Sequence, residues 1–217
     1  MTAPKRPHLR QGLYLVLTHP AGGVEALTKM AVMAQLPAVQ FRPKTLPGQT
    51  LNEEELLRLA CAMRELTRGS DTLFIVNDRP ELAVASDADG VHVGQLDLSP
   101  GEARRIVGDH RLVGLSTHNL DQVKASASEP IDYIGFGPLY VTNSKQNPDP
   151  VVGPDRLAKT AKAAAHPIVA IGGLTSERIQ ALDASAFHCA AVIRAVTEAE
   201  DPLQAMRDIQ RILTERF

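Results

Sequence analysis

The chain has 217 residues, 44% hydrophobic and 22% charged, with a formal net charge of -2. This length fits one domain of the barrel or doubly wound kind, and the balance lacks the global basic field expected of a nucleic-acid binder. No apolar run approaches the roughly 20 residues of a membrane span, so neither nucleic acid nor a membrane is an expected partner.

Met1–Gln11 is polar and basic and lacks the apolar core of a signal peptide. The cytoplasm is the expected location, and residues 1–10 read as a flexible tail ahead of a domain over 11–217. Leu13–Leu17 is strand-like and ends at Thr18-His19-Pro20; Gly22-Gly23 then opens a helix over Val24–Ala34. Ala38–Phe41 is a second strand, running into Arg42-Pro43-Lys44 and a turn-rich loop, Thr45–Thr50. Asn52 caps the next helix with Glu55 as its capping-box partner, and Leu56, Leu59, Ala60, Met63 and Leu66 recur at helical spacing until Gly69.

Leu73–Val76 and Gly90–Val93 are two further strands, separated by a helical segment over Pro80–Ala88. Ser99-Pro100-Gly101-Glu102 has the form of a capping box with proline at the first helical position, opening a helix to about Val107. Leu112–Leu115 is a fifth strand, followed by a helix near Leu120–Ala127, and Ile131–Phe136 is a sixth. Leu139–Gly153 is the longest irregular segment and reads as a binding loop or lid. Pro154 opens another helix, Ile168–Ile171 is strand seven, Thr175 caps a helix to Leu182, and Ala190–Ile193 is strand eight. Asp201-Pro202 starts the last helix.

Eight strands alternating with eight helices imply a parallel sheet with the helices outside it. In this length the pattern predicts a single-domain (β/α)8 TIM barrel, because an open doubly wound sheet would carry a glycine-rich fingerprint after its first strand. Cys61 and Cys189 lie far apart without metal-ligand neighbours and read as buried thiols.

Barrel sites form at the C-terminal ends of the strands. Those ends collect Gln40, Arg42, Lys44, Asn77, Asp78, Gln95, Asp97, Ser116, His118, Thr142, Ser144, Lys145, Gly172, Gly173 and Arg194. Asp78 and Asp97 follow adjacent strands and suit a hard cation such as Mg²⁺; Arg42, Lys44 and Lys145 suit the polyanion it would carry. Gly172-Gly173 permits close backbone approach to a phosphate. Blander readings stand beside these. Asp78 precedes Glu81 by three residues and would also serve as a helix cap; Asp97, Arg42 and Lys44 would also pass as solvated loop residues. Gly172-Gly173 would pass as a turn, His92 as a packed core histidine, and His118 as a loop histidine with no role.

Seven ordered motifs resemble thiamine phosphate synthase and its close relatives over Leu13–Leu213. They are Gln40–Lys44, Asn77–Arg79, Ala88–Asp97, Gly114–His118, Asp132–Tyr140, Thr142–Lys145 and Ala170–Leu174. The resemblance implies a transferase that joins 4-amino-2-methyl-5-(diphosphooxymethyl)pyrimidine to a thiazole phosphate, releasing pyrophosphate by a dissociative route. It assigns Mg²⁺ to Asp78 and Asp97. It assigns the pyrimidine diphosphate to Gln40, Phe41, Arg42, Pro43, Lys44, Asn77, Ser116 and Lys145. Arg42, Lys44, Ser116 and Lys145 are the expected catalytic residues. It assigns the thiazole phosphate to Thr142, Asn143, Ser144, Gly173, Ile193 and Arg194. The chain departs from the pattern at Pro43, Val141, Ser144, the Ala184–Cys189 turn and Arg194, where serine is frequent. Two other readings stay open: a thiazole tautomerase using His118, and a non-catalytic barrel that binds a phosphorylated ligand. Self-association is also left open.

Overall fold

The computed structural model describes residues 6–18, 23–43, 52–142 and 149–217. Eight parallel strands close in sequence order into a barrel. They are β1 (Gly12–Leu17), β2 (Ala38–Phe41), β3 (Leu73–Asn77), β4 (Gly90–Val93), β5 (Leu112–Thr117), β6 (Tyr133–Phe136), β7 (Ile168–Ile171) and β8 (Cys189–Val192). β8 pairs with β1, Leu13 opposite Ala190, which leaves no open edge.

The helices among the described residues are α1 (Val24–Met33), α2 (Glu53–Thr67), α3 (Pro80–Ala85), α4 (Pro100–Val107), α5 (Leu120–Ala125), α6 (Asp155–Ala163), α7 (Ser176–Ala181), α8 (Arg194–Thr197) and α9 (Pro202–Thr214). The expected eight gain one: α8 is a single turn that begins at Arg194, between the eighth strand and the last helix. At α4 the capping box forms in both directions between Ser99 and Glu102. At α2 only half of it forms: the Asn52 side chain accepts from Glu55 N–H, while the Glu55 carboxylate pairs with Arg58.

Strand alternation divides the apolar residues into two clusters. Leu13, Leu15, Leu17, Val39, Phe41, Phe74, Val91 and Ile134 face outward and pack against the helices. Tyr14, Val16, Ala38, Ile75, Leu112, Tyr133, Val169 and Cys189 face the barrel interior.

Residues 6–10 are not the loose tail expected from their polarity. Leu9 is buried in the interior cluster, the Leu9 carbonyl accepts from His188 Nε2 at 2.7 Å, and Arg6 pairs with Asp132 at 2.7 Å. One apolar residue in a polar stretch is enough to seat the segment under the barrel. Residues 1–5 lie outside the described residues.

Candidate active site

The C-terminal mouth of the barrel opens into a cavity of about 490 Å³. Gln40, Arg42, Asn77, Ser116, Thr142, Gly173, Ile193 and Arg194, expected as site residues from the sequence, all line it. Strand period explains the convergence on β2. Ala38 and Gln40 point inward, whereas Val39 and Phe41 point outward. Phe41, expected on the pyrimidine diphosphate, is therefore corrected: its ring is fully buried between sheet and helices, on the far side of the strand from the cavity. Pro43 is half-buried and does not line the cavity. Lys44, Asn143, Ser144 and Lys145 lie outside the described residues, as does the tip of the Leu139–Gly153 loop. Its two anchors, Thr142 and Asp149, both reach the cavity.

Asp78 and Asp97 stand together beside the mouth, and their side chains hydrogen-bond each other. Asp78 leaves β3 with φ 60°, a left-handed conformation that aspartate tolerates better than most residues, while its N–H donates to His92 O at 2.7 Å. Asp78 is not the cap of α3: the N-cap is Arg79, with no side-chain cap bond. Asp97 folds back so that Gly94 N–H donates to its Oδ2 at 2.7 Å. A Cβ at Gly94 would meet that oxygen at 2.8 Å, so a side chain there would push the Asp97 carboxylate aside. Desolvation and the neighbouring Asp97 carboxyl push the Asp78 carboxyl up to about 7, against Arg42 and Asn77, which pull it down. No third His, Cys, Asp or Glu joins the pair among the described residues.

His92 is buried, as the core reading of this histidine expects, yet it also lines the cavity. Its Nδ1 lies 3.2 Å from the Tyr133 hydroxyl and its Nε2 2.9 Å from Ser116 Oγ. Burial, followed by the charge of Arg42, pushes its pKa down to about 4, so the ring is neutral at pH 7. Tyr14 and Tyr133 are pushed far above the usual phenol range by burial and keep their protons. His118 Nδ1 donates to Gly137 O at 2.7 Å, and its Nε2 faces Asp149 Oδ2 at 3.4 Å.

The turn after β7 is fixed from two sides. Gly172 and Gly173 have φ of 104° and 63°, and a Cβ on Gly172 would lie 2.4 Å from Pro138 Cα. Tyr140 N–H donates to Gly172 O at 3.0 Å, and Arg178 donates to Gly173 O with its guanidinium 4.5 Å from the centre of the Tyr140 ring. Arg178 and Glu198 also line the cavity and carry no signal at a strand end, because Arg178 lies within α7 and Glu198 just past α8. Tyr14 had one: it is a phenol among aliphatic residues on the inward face of β1.

The family model for thiamine monophosphate synthase matches residues 13–196. A thiamine-phosphate synthase of Chlorobium luteolum is 39% identical over 175 residues, covering 81% of this chain and 80% of that one. Another, from Synechococcus sp. (strain CC9605), is 39% identical over 207 residues; the match covers 95% of this chain and 57% of the longer relative. Among solved structures, thiamine phosphate pyrophosphorylase from Pyrococcus furiosus superposes with a TM-score of 0.83 at 28% identity, covering 98% of each chain. The 3-hexulose-6-phosphate synthase of Salmonella typhimurium, at 17% identity and TM-score 0.69 over 95% of this chain and all of that one, shares the fold alone. By the extent of the family match and the identity to these relatives, the chain belongs to the thiamine monophosphate synthase family.

Proposed function

We propose that this protein condenses 4-amino-2-methyl-5-(diphosphooxymethyl)pyrimidine with a thiazole phosphate, giving thiamine phosphate and pyrophosphate. The observation that carries the reading is the grouping of Asp78, Asp97 and Arg42 beside a cavity lined by Gln40, Asn77 and Ser116. Family membership supports the same reaction.

The donor set at Asp78 and Asp97 fits Mg²⁺: two hard carboxylates whose side chains meet, one of them raised to about 7 by burial and then by its neighbour; water and diphosphate oxygens would complete the ion's shell. Mg²⁺ bound there would neutralise charge on the departing pyrophosphate. Arg42 lends positive charge to the same oxygens. The exocyclic CH₂–O bond breaks with its electron pair leaving on pyrophosphate, and the thiazole nitrogen supplies the pair for the new N–CH₂ bond. No proton transfer is needed, in keeping with a site whose buried histidine is neutral and already engaged at both nitrogens. Gln40, Asn77 and Ser116 orient the pyrimidine; Thr142, Gly173 and the Ile193-Arg194 corner hold the thiazole phosphate, the glycine N–H through close backbone approach.

A cytoplasmic location belongs to this reading, since Cys61 and Cys189 are both free thiols. The test is to supply both substrates with Mg²⁺ and follow pyrophosphate and thiamine phosphate together. Equal amounts of the two products are expected; pyrophosphate without thiamine phosphate, or neither, overturns the reading.

A further inference from the structure

Five polar side chains form one hydrogen-bonded line through the barrel interior. Gln40 Nε2 donates to the Tyr14 hydroxyl at 2.9 Å. The Tyr14 and Tyr133 hydroxyls are 3.0 Å apart. Tyr133 is 3.2 Å from His92 Nδ1, and His92 Nε2 is 2.9 Å from Ser116 Oγ. The proposed reaction puts only the two ends, Gln40 and Ser116, on the pyrimidine; nothing in it uses the middle three.

A tyrosine hydroxyl has one proton and a neutral imidazole has one N–H, so such a line runs in a single sense. Gln40 donates to Tyr14, so Tyr14 donates to Tyr133 and Tyr133 donates to His92 Nδ1. The imidazole proton then sits on Nε2 and goes to Ser116 Oγ. That order leaves Gln40 Oε1 as the acceptor for a ligand and the Ser116 proton as the donor. Turning the Gln40 amide over reverses every link and exchanges both polarities at once. A mixed order leaves a contact with two protons or with none, or strands a buried tyrosine proton outside the line.

The fold makes room for this line. Gly114 on β5 stands opposite His92 on one side and Tyr133 on the other. A Cβ there would lie 2.5 Å from His92 Nδ1 and 2.2 Å from Tyr133 Cζ. A Cβ on Gly135 of β6 would lie 3.2 Å from His92 Cε1.

We propose that Tyr14, Tyr133 and His92 are positioning residues that lock the hydrogen-bond polarity of Gln40 to that of Ser116, so that the site selects an aminopyrimidine over its oxo counterpart. An amino group donates to Gln40 Oε1. A carbonyl at the same place meets an acceptor, and correcting that contact turns Ser116 into an acceptor too, against a ring nitrogen, N1, that is an acceptor in both compounds. The inference rests on the proposed function for the substrate class and adds the means of discrimination.

The test is calorimetric binding, with Mg²⁺ present and thiazole phosphate absent, of 4-amino-2-methyl-5-(diphosphooxymethyl)pyrimidine and its 4-oxo counterpart. The proteins are the wild type, Tyr14→Phe and Tyr133→Phe, which keep ring volume. The wild type is expected to prefer the amino compound about 100-fold or more, the scale on which polar pockets reject a mismatched partner. Each variant is expected to lower that preference at least about 10-fold, and Tyr133→Phe does so without touching Gln40 or Ser116. A purely structural role weakens both ligands equally and leaves the ratio in place, which overturns the proposal. An equal affinity of the wild type for the two compounds also overturns it and needs no variant. Equal affinity in an enzyme that still makes thiamine phosphate sinks the line alone; binding of neither compound sinks the proposed function too.

Discussion

Asp78 and Asp97 meet side chain to side chain from the ends of neighbouring strands, and Asp97 is held in place by the Gly94 N–H at 2.7 Å. Two carboxyls this close repel when both are charged, and a divalent cation removes the conflict. Asp78→Asn and Asp97→Asn are each expected to lower kcat/KM about 100-fold, the scale of one lost electrostatic partner in the transition state. Asparagine also tolerates the left-handed backbone at position 78. Gly94→Ala, which crowds Asp97 Oδ2, should raise the Mg²⁺ concentration needed for half activity. Steady-state rates against Mg²⁺ check all three, and full activity in either asparagine variant removes the metal assignment.

Arg194 begins α8 at the cavity rim, where its Nε lies 2.8 and 2.9 Å from the two Glu198 oxygens. The pair is exposed, so opening it costs little, and Glu198 competes with a phosphate for the guanidinium. Glu198→Gln is expected to lower KM for the thiazole phosphate about 2- to 5-fold, and Arg194→Ser to raise it by a similar factor, with kcat nearly constant. Unchanged KM in both would place Arg194 outside the phosphate subsite.

Gly114→Ala puts a methyl group 2.2 Å from the Tyr133 ring and 2.5 Å from the His92 ring. Both rings are buried and cannot swing away, so the variant should lose about 3 kcal/mol in urea unfolding. A Cβ on Gly101, within α4, would have nothing within 4 Å, so Gly101→Ala should be neutral or gain up to about 1 kcal/mol. Equal midpoints for the two variants would contradict the packing argument.

Cys189 is fully buried, its thiol donates to Arg10 O at 3.1 Å, and burial pushes its pKa far above the usual thiol range. Cys61 is only partly buried. A thiolate-specific reagent at pH 8 should therefore label Cys61 alone in the native protein and both cysteines in denaturant. Mass spectrometry of the labelled peptides reads the result; native labelling of Cys189 would mean that the seal made by residues 6–10 opens.

Amino-acid order alone carried the alternation of strands and helices, and with it the barrel and the ends at which a site must form. It also placed Gln40, Arg42, Asn77, Asp78, Asp97, Ser116 and Gly173 at those ends, because each follows or closes an apolar run. Strand period even contained the correction for Phe41: a residue next to inward-facing Gln40 has to face outward. What the order could not supply were contacts between distant strands and the helix residues that lean over the mouth. Whether Asp78 capped a helix or met Asp97 was decided by a left-handed turn and by the pairing of β3 with β4. The link from Gln40 through Tyr14, Tyr133 and His92 to Ser116 joins five strands, and only closure of the barrel brings their inward side chains within hydrogen-bond distance. Local periodicity fixes which face a side chain takes; the partner it meets there depends on register and closure, which are properties of the whole sheet.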